Sequence, residues 1–316
     1  MIRGMNQDAE PVLKIKGAMG DPMLENILQL VVSGILTGVS YGVLAAGLAL
    51  IFGVMKIINF AHAAFAVLAM YFPAFWFLHW WGIDPFASTL ISLPVFFILG
   101  YFIQRVLVER IIGTPEAETS TLIMTMGFSL LIENIILIVW SGSPRIIIRP
   151  YTLATWEVGK VLINQAQTYS FFISLILIIG LFLFLNKTIM GKGIRAAADD
   201  PEGCAYMGIN LHFIYGLAFG MGIAITAAGG CLMATYRPFN PYFGESIIII
   251  LFASVVLGGM SSIAGALLGG VIIGLIQQLS ILVIPVALQN VSVFAIFVLF
   301  LYVRPQGILG KKGRVV

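Results

Sequence analysis

Apolar residues run along this chain in long blocks separated by short polar stretches. Nine blocks can be drawn, over residues 26–52, 63–81, 86–106, 120–140, 168–186, 213–235, 246–258, 264–284 and 290–303. Most approach the roughly 20 residues that cross a hydrocarbon core as a helix. The ten-residue alternation of a membrane barrel is absent, and an open sheet edge leaves its backbone unsatisfied in lipid. The pattern predicts an all-α fold, a polytopic bundle of about eight or nine membrane segments. It also predicts a polar extension over 1–25, one membrane domain over 26–310 and a basic tail, 311–316.

Two blocks are interrupted. "VLAAGLALIFGVMKIINFAHAAFAVLAM" (43–70) stops at "KIINFAH" and resumes, and "SIIIILFASVVLGGMSSIAGALLGGVIIGLI" (246–276) stops at "GGMSS" and resumes. Backbone freed at such breaks must be satisfied by protein or by a water-filled cavity, and a pair of interrupted segments points to a transport path. The candidates for its walls are Asn59, His62, Gly258, Gly259, Ser261 and Ser262. Asn59 and His62 are three apart and share a helix face, so they either line the path or hold the broken ends together. Metal ligation by His62 is disfavoured, because no second His, Cys or carboxylate lies near it in sequence.

Glycine recurs at four-residue spacing, as in Gly34/Gly38, Gly216/Gly220, Gly265/Gly269 and Gly270/Gly274, which lets helix backbones approach closely. The composition, 60% hydrophobic and 10% charged, agrees with a membrane protein. The net charge of +3 comes without a basic, aromatic-interleaved patch, so nucleic acid is excluded as a partner. Cys204 and Cys231 have neither CxxC nor metal spacing and read as free thiols. Glu133, beside Asn134, interrupts the block 120–140. A carboxylate at that depth calls for a partner, a place near an interface, or a coupling role.

One polar island stands out, "GKGIRAAADDPEGCAYMGIN" (191–210), within the loop 187–211. It reads as two short helices. Asp200 caps the second, Pro201 takes its first position and Gly208 ends it. Placing the island inside the cell puts more Lys and Arg inside than out, and puts the N-terminus outside.

The pattern G-x-x-R-A-x-A-x-D-P-E-x-A-x-x-x-G-I-N resembles the cytoplasmic coupling loop of ABC importer permeases, specifically the branched-chain amino acid permease family of the LivH type. "GVLAAGLALIFGVMKIINFAHAAF", "NPYFGESIIIILFASVVLGGMSSIAGALLGGVIIGLI" and "RPQGILG" resemble further signatures of that family, in the expected order, over residues 27–310. The resemblance implies a pore-forming subunit in a bacterial inner membrane. It implies a second homologous permease, two cytosolic ATPases and a periplasmic or extracellular solute-binding protein as partners. Arg195, Asp199, Asp200, Pro201 and Glu202 then dock an ATPase, and Gly208 shapes the end of the knob. ATP is used by the partners, with no cofactor bound by this chain. Two departures stand out: Ala63-Ala64 replace the family's frequent Gly-Glu, and Gly203-Cys204 interrupt a usually Ala-rich stretch, which costs the helix up to about 1 kcal/mol.

No G-x-x-x-x-G-K-[ST] loop, no membrane-buried Ser/His/Asp set and no HExxH occurs, so an enzyme is not expected. Two alternatives to amino acid import remain. One is an importer of the same family for urea or short-chain amides. The other is an ion-coupled secondary transporter using Glu133, which would not need the coupling loop.

Overall fold

The computed structural model describes residues 22–112, 114, 116–304 and 306–310. Most of the predicted N-terminal extension and the whole basic tail 311–316 lie outside the described residues. The predicted bundle is present. Eight helices are long and apolar enough to cross a membrane, and a shorter apolar one, Phe243–Gly258, joins them.

In chain order the elements are α1 (Pro22–Met55), α2 (His62–Ala69), a π-helical stretch (Met70–Trp76) leading into α3 (Phe77–Trp81), and α4 (Pro85–Val106). Next come α5 (Ala117–Trp140), α6 (Pro150–Leu153), the strands β1 (Thr155–Val158) and β2 (Val161–Asn164), and α7 (Gln165–Lys187). Then follow α8 (Ile189–Asp199), α9 (Pro201–Tyr206), α10 (Leu211–Ala234), α11 (Phe243–Gly258), α12 (Ile263–Leu279) and α13 (Gln289–Val303). The π-helical stretch contains Pro73, whose missing N–H is accommodated by the wider turn.

α1 and α10 form the centre and are buried along most of their apolar length. α12 packs antiparallel on α1, and the reason is the glycine spacing. A Cβ on Gly38 would lie 2.6 Å from the Val271 Cα, and one on Gly274 would lie 2.5 Å from the Gly34 carbonyl oxygen. Without Cβ atoms the two backbones touch, and dispersion replaces the hydrophobic drive that lipid cannot supply. At the far end of α1 from Met55, polar contacts tie the β1–β2 hairpin down. Gln29 Nε2 donates to the Leu162 carbonyl at 2.6 Å, the Leu162 N–H donates back to Gln29 Oε1 at 2.8 Å, and Lys160 pairs with Glu25. α8 and α9 lie at the opposite, Met55 end. The chain therefore enters the bundle on the face away from the polar island, as the charge pattern predicts.

Both interruptions are present, with different geometry. After Met55 the segment 56–61 turns back along α1. His62 reaches the carbonyl of Leu44, eleven residues before Met55, which at 1.5 Å per residue is about 16 Å into the bundle. α11 begins at the same depth, with Gly244 against Ala63 and Ala64. At "GGMSS" the chain stops and resumes, but it resumes in reverse: Gly258 faces Gly265 and Gly269 faces Ser254, so α11 and α12 are an antiparallel hairpin. The half-length helix is α11. Its unwound partner is the segment 235–242, which brings the chain from the end of α10 back into the bundle.

Candidate functional site

Three regions carry the polar chemistry: the mid-depth junction, the inner cavities and the island. At the junction, Asn59 and His62 are fully buried. Asn59 Oδ1 accepts from the Ala61 N–H at 3.1 Å and its carbonyl accepts from the His62 N–H, so it shapes the turn into α2. His62 Nε2 lies 3.0 Å from the Leu44 carbonyl and 2.5 Å from Thr226 Oγ1. A carbonyl can only accept, so Nε2 carries the hydrogen. The Thr226 hydroxyl gives its own hydrogen to the Gly222 carbonyl at 2.9 Å and accepts from the imidazole. Through one ring the start of α2 is thus tied to α1 and α10. Of the two roles open to this pair, the contacts are those of holding broken ends; neither residue reaches the wall of the inner cavities. His62 Nδ1 and Asn59 Nδ2 have no partner among the described residues.

The other face of the junction is acidic. Phe60 stacks near Phe252 of α11, with centroids 5.2 Å apart, and its N–H donates to Thr125 of α5 at 3.1 Å. Phe60 thus touches both α5 and α11. Glu133 lies on α5 and Glu245 in the first turn of α11. Glu245 gains from the positive pole of its helix. Glu133 is half-buried, and among the described residues it has no ion pair. Asn134 is exposed and turns its amide back to the Leu130 carbonyl at 2.8 Å.

At the inner end two cavities of about 610 Å³ and 430 Å³ open. The larger is lined by Lys56, Ile58, Glu118, Leu122, Ala198 and Ser261 among others, and it continues the α5 face that carries Glu133, since 118, 122, 129 and 133 share one helical stripe. Lys56 has φ +54, a left-handed conformation that costs a side-chain-bearing residue energy and marks the point where the chain reverses. The smaller cavity separates α8 (Ile194, Arg195, Ala198, Asp199) from the turn at Ser261 and Ser262. Ser262 caps α12 by accepting from the Gly265 N–H at 3.0 Å, and Gly259, with φ +110, makes the reversal possible. Of the four residues at this break, Ser261 lines both cavities, Ser262 lines one, and Gly258 and Gly259 are buried behind them.

The island folds as its sequence predicts. Thr188 Oγ1 caps α8 by accepting from the Gly191 N–H at 3.0 Å, and Asp200 Oδ1 caps α9 by accepting from the Gly203 N–H at 2.9 Å. Pro201 occupies the first position of α9, and Gly208, with φ +79, terminates the turn. α8 buries Gly191, Ile194 and Ala197 against the bundle, Arg195 donates to Asn186 Oδ1 at 2.6 Å, and Glu202 points to solvent. The expected weakness at Gly203 has a counterpart: a Cβ there would come within 2.9 Å of the Asp200 carboxyl carbon, so glycine is what lets the cap close. Cys204 is buried beneath α9. Sequence reasoning passed over the apolar tip. Tyr206 and Met207 are 88% and 85% exposed, and Ile189 is as open. The signal was available as "AYM", three apolar residues inside a polar loop.

Comparison with known proteins gives a consistent answer. The family model described as branched-chain amino acid transport system / permease component matches residues 30–303. The chain is 29% identical over 305 residues to the high-affinity branched-chain amino acid transport system permease protein BraD of Pseudomonas aeruginosa, covering 92% of this chain and 98% of that one. It is 29% identical over 297 residues to LivH, the protein of the same description in Escherichia coli K12, covering 90% and 96%. It is 28% identical over 247 residues to the probable branched-chain amino acid transport permease protein LivH of Methanocaldococcus jannaschii, covering 75% of each chain.

Proposed function

Since this chain belongs to the branched-chain amino acid transport system permease family, we propose that it is one half of the membrane pore of an ATP-driven importer in a bacterial inner membrane, carrying branched-chain or other small amino acids. Two cytosolic ATPases drive it and a solute-binding protein feeds it from the other side. The observation that carries the reading is the island: a loop capped at both helix starts, anchored by Ile194, Ala197 and Cys204, and ending in bare Tyr206 and Met207. Apolar side chains held rigidly in water favour a partner that covers them. The charged residues Asp199, Asp200 and Glu202, where α8 gives way to α9, supply orientation, and the apolar tip supplies most of the contact energy.

The second permease belongs on the α5–α11 face. α5 and α11 each carry a carboxylate, Glu133 and Glu245, and a carboxylate at membrane depth cannot face lipid without a cost of several kcal/mol. On this reading a homologous subunit opposite this face encloses a wet path between the two halves of the pore. On this reading the solute descends past Glu245 and Glu133 to the cavity at Lys56 and Ser261, and the turn 259–262 gates its exit. Neither α5 nor α11 offers a pocket closed enough for tight binding, so affinity resides in the solute-binding protein.

The test is a reconstitution with the cognate partners in proteoliposomes, using labelled leucine as the solute. Glu202→Lys should lower uptake about tenfold, the equivalent of 1.4 kcal/mol of docking energy, while the chain remains in the membrane at normal amounts. Uptake at the wild-type rate would mean that the loop does not dock an ATPase. Uptake of urea but not leucine by the wild type would redirect the substrate assignment.

A further inference from the structure

The last described residues do not trail away from the bundle. They return to the turn between α11 and α12. The Ile308 N–H donates to the Leu257 carbonyl at 2.9 Å and the Leu309 N–H donates to the Gly258 carbonyl at 3.0 Å. These are two of the four carbonyls that any helix leaves without an internal partner at its end. The Gly259 N–H serves Val255 and Val256, at 2.8 and 3.2 Å, so Leu257 and Gly258 would otherwise be orphaned in a dry place. A remote segment thus completes the carboxyl end of α11.

The fit depends on glycine on both sides. Gly259 has φ +110 and Gly307 φ +79, so both occupy the left-handed region. A Cβ on Gly307 would lie 2.6 Å from the Gly259 nitrogen and Cα, and one on Gly259 would lie 2.6 Å from the Gly310 nitrogen. Two backbones are in direct contact, and neither glycine tolerates a methyl group there. Arg304 Nη2 reaches the Ile308 carbonyl at 3.4 Å and closes the segment on itself. Leu309 lines the 430 Å³ cavity, as do Ile194, Arg195, Ala198 and Asp199 of α8. Ser261 and Ser262 of the turn line the same cavity, so it joins Leu309, the coupling helix and the turn.

We infer that residues 306–310 are a latch that positions the inner turn of the α11–α12 hairpin and links it to α8 through Leu309. The inference rests on the reading of α8–α9 as the ATPase-coupling loop. When α8 moves, the cavity wall moves with it. Leu309 passes that displacement to the Leu257 and Gly258 carbonyls, and so to the end of the pathway-lining helix. The latch is a positioning device; it touches no solute.

Two measurements test it. On the purified chain, hydrogen exchange followed by mass spectrometry should find the Ile308 and Leu309 amides protected, and Gly307→Ala should speed their exchange by about tenfold or more. In the reconstituted assembly, Gly307→Ala should reduce uptake about tenfold while ATP hydrolysis persists, because the engine still turns but no longer moves the gate. Freely exchanging amides in the wild type, unchanged uptake, or a parallel loss of uptake and hydrolysis would each overturn the latch. If Gly307→Ala fails to assemble, Leu309→Ala decides: it keeps both glycines and both backbone bonds, so protection should remain while uptake per ATP falls. A failure of the coupling reading is distinguishable, because Glu202→Lys would then transport normally whatever the exchange data say.

Discussion

Single residues settle how the island keeps its shape. Asp200 does two jobs at one position: it ends α8 and caps α9, with Gly203 left bare so that its carboxylate can reach the backbone. Asp200→Ala should cost about 1 kcal/mol of local stability. Exchange at the Gly203 amide should accelerate by several-fold, and helices outside the loop should be unaffected. On the opposite face Tyr151 plays a comparable anchoring part, donating to Asp84 Oδ2 at 2.8 Å. Burial, and then the Asp84 hydrogen bond, push its hydroxyl well above the usual tyrosine range, so it remains a donor at every physiological pH. Cap residues were legible from sequence because capping is local: Asp-Pro-Glu after an alanine run says the same thing in any context. Glu133 was not. The other carboxylate on this face, Glu245, is more than a hundred residues away, and no local pattern announces that α5 and α11 share it.

Among the elements, the membrane helices were the most legible, because a block of apolar residues long enough to cross lipid admits one regular structure. Predicted and observed ends differ by a few residues, as frayed termini do. What the pattern could not convey was direction. "GGMSS" and "KIINFAH" both read as a stop and a restart, yet one folds the chain into a hairpin and the other drives it back into the bundle. The difference lies in backbone geometry at Gly259 and Lys56, which composition does not encode. The hairpin β1–β2 also escaped notice, since its four-residue strands are outweighed by the apolar blocks on either side. The contact between α1 and α12 is the element-level claim most open to attack. Gly38→Leu forces four carbons into a space where even a Cβ meets backbone at 2.6 Å, and should destabilise the bundle by about 1–3 kcal/mol or more. Thermal unfolding in detergent checks this, with Gly127→Leu as the neutral comparison, since a Cβ at that position would have nothing within 4 Å.

For the whole molecule the question is which of its faces meets water. α5, α7 and α13 all present large apolar side chains, and hydropathy alone treats those faces alike. The carboxylates Glu133 and Glu245 break the tie in favour of the α5–α11 face. Ile249 lies one turn beyond Glu245 on the same side of α11 and is 48% exposed, whereas Ile176 of α7 is 67% exposed on a face with no charge. In the assembled transporter a membrane-impermeant thiol reagent should modify Ile249→Cys at least about tenfold faster than Ile176→Cys, because on the proposed reading only the first is wet and a thiol must ionise to react. Both native cysteines are buried and contribute little background. Equal rates would return that face to lipid. The backbone-to-backbone seam of α1 and α12 has a further consequence. Where bare glycine backbone meets backbone there is nothing to trim by degrees, so a descendant needing room for bulkier cargo cannot widen those contacts in small steps. On the proposed reading variation accumulates along the α5–α11 face instead, where each replacement is tolerable on its own.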